Sequence, residues 1–315
     1  MPILSVIIPV FNGENFIMNS LISLENQSLK DIEIIIIDDA STDNTIDVVN
    51  EFISKTKSNV KFLRNNKNKG TGYTRNKGIK FSSGKYITFL DSDDWVDSNA
   101  YLAAINAAQE DTDVIVFGIK NDYLYGQDSD IRYDYSYDNL ITGEFALKLL
   151  CHSQNQDQYI SPIPGNKIIR KEIITDNNVF FPNRNYCEDD EFYFKLLYYS
   201  NQIQIVSKVY MHYYQRPDSI MHCFSKKHID DFISLFNNLR DFLTINNVFD
   251  VYNNDYYSFF NKCLNSLISS LFSNEQEVNM QKDYIEYLFK KILATFSISE
   301  ILSFTDMQRI KRFFI

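Results

Sequence analysis

Three acidic clusters and one glycine-bearing basic loop are the parts of this chain whose residue types and spacing could do chemistry. Asp91 and Asp93 stand two positions apart, after the apolar run Tyr86–Leu90 and before a helical pattern. Asp38 and Asp39 directly follow Ile32–Ile37. Closely spaced carboxylates offer hard oxygen ligands to Mg2+ or Mn2+, ions that keep some waters and bridge to substrate phosphates. The Asp-x-Asp spacing recurs at Asp111/Asp113 and Asp128/Asp130. The first of these precedes a strand and the second sits in a polar stretch, so only Asp91/Asp93 has the strand-end position. Within Asn68–Gly78, Gly70 and Gly72 permit close backbone approach to a ligand. The same run opens a helix whose free N–H groups favour an anion, with Arg75 in its first turns. A basic surface loop and helix caps at Ser41, Thr42 or Asp43 are the plain structural readings of these residues. The third cluster, Glu188–Glu191, opens an apolar helical pattern (Phe192, Leu196, Leu197), and acids also suit a helix N-terminus for purely structural reasons.

The elements that must position these groups alternate along the first 117 residues. Ile3–Val10, Ile32–Ile37, Val60–Leu63, Tyr86–Leu90 and Val114–Phe117 are strand-length and rich in β-branched residues. Asn15–Asn26, Asp43–Lys55, Thr71–Phe81 and Ser98–Gln109 lie between them and are long enough for helices. This order predicts an α/β fold with a mostly parallel, Rossmann-type sheet flanked by helices. Runs such as Ile34–Ile37 are apolar on both faces, as buried parallel strands are. Ligands in such sheets bind beyond the carboxyl ends of the strands, which puts Pro9–Gly13, Asp38–Asp43 and Asp91–Asp94 on one edge. Residues 118–225 are mixed, with less clear periodicity. All nine glycines lie at or before Gly165 and all six prolines at or before Pro217. Without these breakers, and with apolar spacing such as Ile229, Phe232, Ile233, Phe236, Leu239, the tail reads as a helical subdomain over 226–315.

Composition excludes several classes. The net charge is −10, which disfavours sequence-independent binding to a phosphate backbone, so no nucleic-acid partner is expected. The cysteines Cys151, Cys187, Cys223 and Cys263 form no CxxC pair, and no HExxH is present. The apolar N-terminal run has no basic region before it, and no apolar run approaches the ~20 residues that span a bilayer. The expected setting is cytoplasmic. The glycine loop is not GxGxxG, which argues against a dinucleotide site.

In this order the segments resemble the family-2 inverting glycosyltransferases of the GT-A fold. The likeness runs through Ser5–Asn12, Ser23–Gln27, Ile36–Asp43, Arg75–Gly78 and Gly84–Asp94, with weaker echoes at Gly165–Arg170, Glu188–Phe192 and Tyr214–Ile220. The resemblance implies a GT-A catalytic domain over 1–225, nucleotide-binding in 1–117 and acceptor-binding in 118–225. It implies transfer of one sugar, a hexose or N-acetylhexosamine, from a UDP-sugar to a glycan or lipid-linked glycan, with inversion and a Mn2+ or Mg2+ cofactor. The nucleotide-sugar pocket would use Pro9, Val10, Asn12, Asp38 or Asp39 on uracil or ribose, Arg75 on the nucleotide, and Asp91 and Ser92. Asp93 would bind the ion, with Asp91 beside it and His212 reaching the diphosphate. The same resemblance makes Asp189 the base, and Arg216 and Ser219 fall in the segment that closes the catalytic part. Two positions depart from the family: Ala40 and Cys187 stand where glycine is usual. The Gln-x-x-Arg-Trp motif of processive synthases is absent, since Trp95 is the only tryptophan.

Two other functions fit the fold class. A sugar nucleotidyltransferase would want a GxGxR-like loop after the first strand, which Phe11–Asn15 does not supply. A non-catalytic sugar-binding or scaffold protein is disfavoured by the intact Asp93 and Asp189. The terminal run Arg309–Ile315 reads first as a helix packed on the core or in a homodimer. Peripheral contact with an anionic membrane is the competing reading.

Overall fold

The computed structural model describes residues 1–123, 129–152, 159–215, 224–273 and 278–297. In chain order the elements are β1 (Leu4–Val10), α1 (Ile17–Glu25), β2 (Ile32–Asp38), α2 (Thr45–Lys55), β3 (Asn59–Arg64), α3 (Thr71–Phe81), β4 (Tyr86–Phe89), β5 (Trp95–Val96), α4 (Ala100–Ala107), β6 (Val114–Tyr123), β7 (Asp130–Tyr133), β8 (Asn139–Thr142), α5 (Gly143–His152), β9 (Lys167–Arg170), α6 (Lys171–Asp176), α7 (Glu188–Tyr199), β10 (Gln202–Gln215), α8 (Lys226–Ile245), α9 (Phe249–Ser273) and α10 (Val278–Thr295). The sheet order is β3-β2-β1-β4-β9-β6-β10-β5, with β7 on β6 and β8 on β10. The β3-β2-β1-β4 half is parallel throughout, as the alternating strand and helix patterns predict. β9 then enters antiparallel between β4 and β6, and makes the sheet mixed.

Every residue of β1 is buried, because helices cover both faces of that strand. Close packing of α3 on β1 depends on Gly78, where an added Cβ would lie 2.3 Å from Ile7 Cγ2. At the end of the sheet away from the acidic loops, Glu33 accepts from Ser5 Oγ at 2.5 Å and from Lys61 Nζ at 2.6 Å. Burial pushes this carboxyl up, but the bonds from Lys61, Ser5 and Ser83 outweigh it and bring it down to about 2.

The chain divides into two compact units, Met1–Leu149 with Ser153–Arg216, and Leu150–His152 with Pro217–Ile315. In the second, α8 begins at Lys226, where the sequence places the start of the helical tail. Its core is aromatic: Phe232, Phe236 and Phe260 pack with ring centroids 4.8–5.1 Å apart. His152 Nε2 lies 2.7 Å from Asp255 Oδ1, and Lys262 donates to the Leu150 carbonyl. Among the described residues no helix is long and apolar enough to cross a membrane. Asp128, Arg216, Ser219 and the run Arg309–Ile315 lie outside the described residues.

Candidate active site

The loops after β1 and β2 are zipped together by side chains from the predicted pocket. Pro9 and Val10 are buried at the end of β1, and Val10 lies in register with Asp38. Asn12 takes a left-handed conformation (φ 51°), and its Oδ1 accepts from the Thr42 N–H at 2.8 Å. Its own N–H donates to Ser41 Oγ at 2.9 Å. Asp38 is buried, 3.0 Å from Arg64 Nε, and both its oxygens accept from the Ser41 N–H at 3.2 Å. Asp39 is buried too. It accepts from Asn65 Nδ2 at 2.7 Å, the Lys69 N–H at 2.9 Å and the Gly70 N–H at 2.8 Å. Both carboxylates are therefore taken up by the chain around them, and Asp39 shapes the loop that leads into α3. The next residue, Ala40, is left-handed (φ 65°), which accounts physically for glycine being usual at that position.

Arg75, 2% exposed, is the centre of the site. Its Nη2 donates to Asp91 Oδ1 at 2.9 Å, and its Nη1 donates to Asp189 Oδ1 at 2.6 Å. Nη1 also lies 3.5 Å from Glu188 Oε1. One guanidinium from α3 thus joins the carboxylate after β4 to the first turn of α7. The approach of these elements is fixed locally. Asn76 Nδ2 donates to the Phe181 carbonyl at 2.8 Å, and the Phe181 N–H returns to Asn76 Oδ1 at 3.0 Å. A Cβ on Gly72 would lie 2.7 Å from the Pro182 carbonyl oxygen, so only glycine lets α3 come this close. α7 starts from Cys187 in the left-handed region (φ 57°), the second position where the family favours glycine. Arg184 braces that turn by donating to the Cys187 carbonyl at 2.8 Å and pairing with Glu191 at 2.8 Å.

Electrostatics set Asp189 apart. Burial pushes its carboxyl well above the usual carboxylate range; Arg75 opposes this, while Glu188, Asp91 and Asp190 add to it. Glu188 is also raised, by burial first, against Arg75. Lys167, fully buried on β9, donates to the Ile163 carbonyl and to Asn166 Oδ1, each at 2.7 Å. Its ammonium lies 4.6 Å from the centroid of Tyr193, one turn along α7 from Asp189. Burial pulls this lysine well below its ordinary value, and Asp189 opposes the shift.

Asp93 and Ser92 are half-buried beside Asp91. Their neighbour Asp94 is a residue that sequence reasoning passed over. It is buried, and its Oδ1 accepts from the Tyr214 N–H at 3.0 Å. Among the described residues its Oδ2 has no hydrogen-bond partner. Burial, then Asp93 and Asp91, push this carboxyl well up. His212 is placed by its cross-strand pairing with Trp95, whose ring it stacks on at 5.1 Å. Its Nδ1 lies 2.5 Å from Asp122 Oδ2 and its Nε2 3.0 Å from Asp97 Oδ1. No spacing in the sequence points to Asp97 or Asp122.

The donor set suits a hard divalent cation. It is made of the carboxylate oxygens of Asp91 and Asp93, with the buried carboxyl of Asp94 next to them. Among the described residues no three His, Cys, Asp or Glu side chains already form a metal cage. An ion that completes its shell with waters and substrate phosphates does not require one. His212, with each ring nitrogen on a carboxylate, would have to release one to join.

Comparison with known proteins agrees with this edge-of-sheet geometry. A family model described as glycosyl transferase family 2 matches residues 5–177. The putative glycosyltransferase EpsH of Bacillus subtilis is 28% identical over 264 residues, 82% of this chain and 74% of EpsH. The poly(ribitol-phosphate) beta-glucosyltransferase of Bacillus spizizenii is 30% identical over 219 residues, 67% of this chain but only 32% of that protein. The crystal structure of S. aureus TarS 1-349 in complex with UDP-GlcNAc superposes with a TM-score of 0.71 over 94% of this chain and 82% of that one. At 23% identity that likeness speaks to the fold alone.

Proposed function

The chain belongs to glycosyl transferase family 2 and is a glycosyltransferase, and we propose that it moves a single hexose or N-acetylhexosamine from a UDP-sugar to a hydroxyl of a glycan or lipid-linked glycan, with inversion. The observation that supports this reading is the Arg75 bridge between Asp91, which we read as the donor side, and Asp189, which we read as the acceptor side. Inversion in one displacement needs a base that takes the acceptor proton as the hydroxyl attacks the anomeric carbon. Asp189 suits that task because burial raises its proton affinity towards the working pH while Arg75 keeps the ionised form accessible. The relatives' names support the sugar and acceptor classes. A beta-glucosyl product from an alpha-linked UDP-sugar also requires inversion.

On the donor side, the loops held by Asn12, Asp38 and Asp39 form the floor for the nucleotide. Asp93, with Asp91 beside it, would hold Mn2+ or Mg2+. When bound, that ion supplies charge stabilisation to the departing diphosphate.

The test is release of UDP from a panel of UDP-sugars, with and without a glycan acceptor and with and without EDTA. Acceptor-stimulated release from one or a few donors, abolished by EDTA and restored by Mn2+, is expected. Turnover indifferent to EDTA would remove the ion from the account. Pyrophosphate formation from a sugar 1-phosphate and UTP, without UDP release, would point to a nucleotidyltransferase.

A further inference from the structure

We propose that Arg75 is a positioning residue for the base: it fixes the orientation of the Asp189 carboxylate on the acceptor side and ties that orientation to Asp91 on the donor side. The inference rests on the reading of Asp189 as base and goes beyond it. The resemblance assigned Arg75 to the nucleotide, yet the guanidinium is already shared among carboxylates. Nη1 serves Asp189 at 2.6 Å with Glu188 at 3.5 Å, and Nη2 serves Asp91 at 2.9 Å. Among the described residues its buried Nε has no hydrogen-bond partner. A ring of Phe181 lies 5.3 Å from the guanidinium carbon, and that ring is stacked on Phe192 of α7 at 3.9 Å. The cation is therefore held between an aromatic plate and the carboxylates, with little room to turn towards another ligand.

The planar fork matters here. Two separate terminal nitrogens reach two carboxylates on different elements, which a single ammonium cannot do with the same directionality. Asp91 and Asp189 lie 98 residues apart by their numbers (189 − 91), and this bridge joins them. A change at Asp91 when donor binds is thereby felt at Asp189 through one rigid group.

The charges facing Asp189 come from each surrounding element. Glu188 and Asp190 on its own helix and Asp91 after β4 all disfavour its ionised form, as does burial. Arg75 from α3 favours it, and Lys167 from β9 is a second, more weakly coupled cation. Tyr193 is buried below and held neutral, first by burial and then by Asp189. Without Arg75 the remaining balance favours a protonated carboxyl, which cannot act as a base.

The experiment compares Arg75→Gln, Arg75→Lys and Asp189→Asn for UDP affinity and for kcat across pH 6 to 9. For Arg75→Gln the acid limb of kcat is expected to move up by about 1–3 pH units, so that on the acid side of both limbs kcat falls about 10- to 1000-fold and it recovers at high pH. UDP affinity should stay near wild type. Arg75→Lys, which keeps the charge but loses the fork, should show a smaller shift in the same direction. An unmoved pH profile in a folded Arg75→Gln protein overturns the proposal, as does a loss confined to UDP affinity. If Arg75→Gln fails to fold, judged by circular dichroism, an unshifted Arg75→Lys profile overturns it equally. Should Asp189→Asn remain active, the base reading itself fails. A dead Asp189→Asn beside an unshifted Arg75 variant removes only the positioning role.

Discussion

Asp39 is a buried acid and Asp189 a half-buried one, and they are satisfied in opposite ways. Asp39 accepts from Asn65 and from the backbone N–H groups of Lys69 and Gly70, all within 31 residues of it. Asp189 receives its shortest bond from one guanidinium 114 residues away in sequence. The first arrangement builds a loop. The second leaves a carboxylate whose ionised form is disfavoured by burial and held chiefly by Arg75, with Lys167 more weakly coupled, which is a chemically poised state. A buried acid saturated by backbone donors stabilises the fold. An acid balanced chiefly against one charge does so poorly and is available for proton transfer.

This contrast can be broken by substitution. The largest effect on stability is expected at the loop-building acid. Asp39→Ala takes the carboxylate from Asn65 Nδ2 and from the Lys69 and Gly70 N–H groups, of which Asn65 keeps Thr74 Oγ1 and Gly70 keeps Asn68 Oδ1, and should cost about 1–3 kcal/mol, read as a fall in the denaturation midpoint with an unchanged m-value. A midpoint within experimental scatter of wild type would mean that Asp39 faces ligand more than loop. The effect at Asp189 should run the other way. Because the fold raises its pKa, the native state disfavours the charged form, and that penalty on stability is present above the usual carboxylate range and relieved as pH falls and the group protonates. Asp189→Asn should therefore be neutral or slightly stabilising at pH 7. The smallest effect lies next to Asp39. Ala40 pays the left-handed strain at φ 65°, and Ala40→Gly should gain about 1 kcal/mol. A loss of stability there would show that the loop relaxes the strain by itself.

Much of the donor half was legible because its signals are local. Apolar strand runs, helix periods between them and polar residues at the strand ends are read within a dozen residues, and they put Pro9–Gly13, Asp38–Asp43 and Asp91–Asp94 on one edge. The Asp189 run was legible as an acidic helix start. Its pairing with Arg75 was not, since a contact between α3 and α7 leaves no trace in periodicity. The same holds for His212, whose partners Asp97 and Asp122 come from two other segments. Asp94 looked like one more acid in a polar turn, and only the packing of β10 over it makes it buried. The roles of Asp38 and Asp39 also needed structure, because a strand-end carboxylate can face a ligand or a loop's N–H groups with identical sequence.

The central claim is that Asp189 is the base and is tuned for proton transfer at little benefit to the fold. The most direct test is acceptor-dependent kcat for Asp189→Asn beside Asp190→Asn, with UDP-sugar affinity and thermal stability measured on the same preparations. The account predicts a drop of about 10²–10⁴ in kcat for Asp189→Asn, unchanged donor affinity, stability equal to or above wild type, and a much smaller kinetic effect for Asp190→Asn. An Asp189→Asn protein that turns over at near wild-type rate, above all beside an inactive Asp190→Asn, would contradict it.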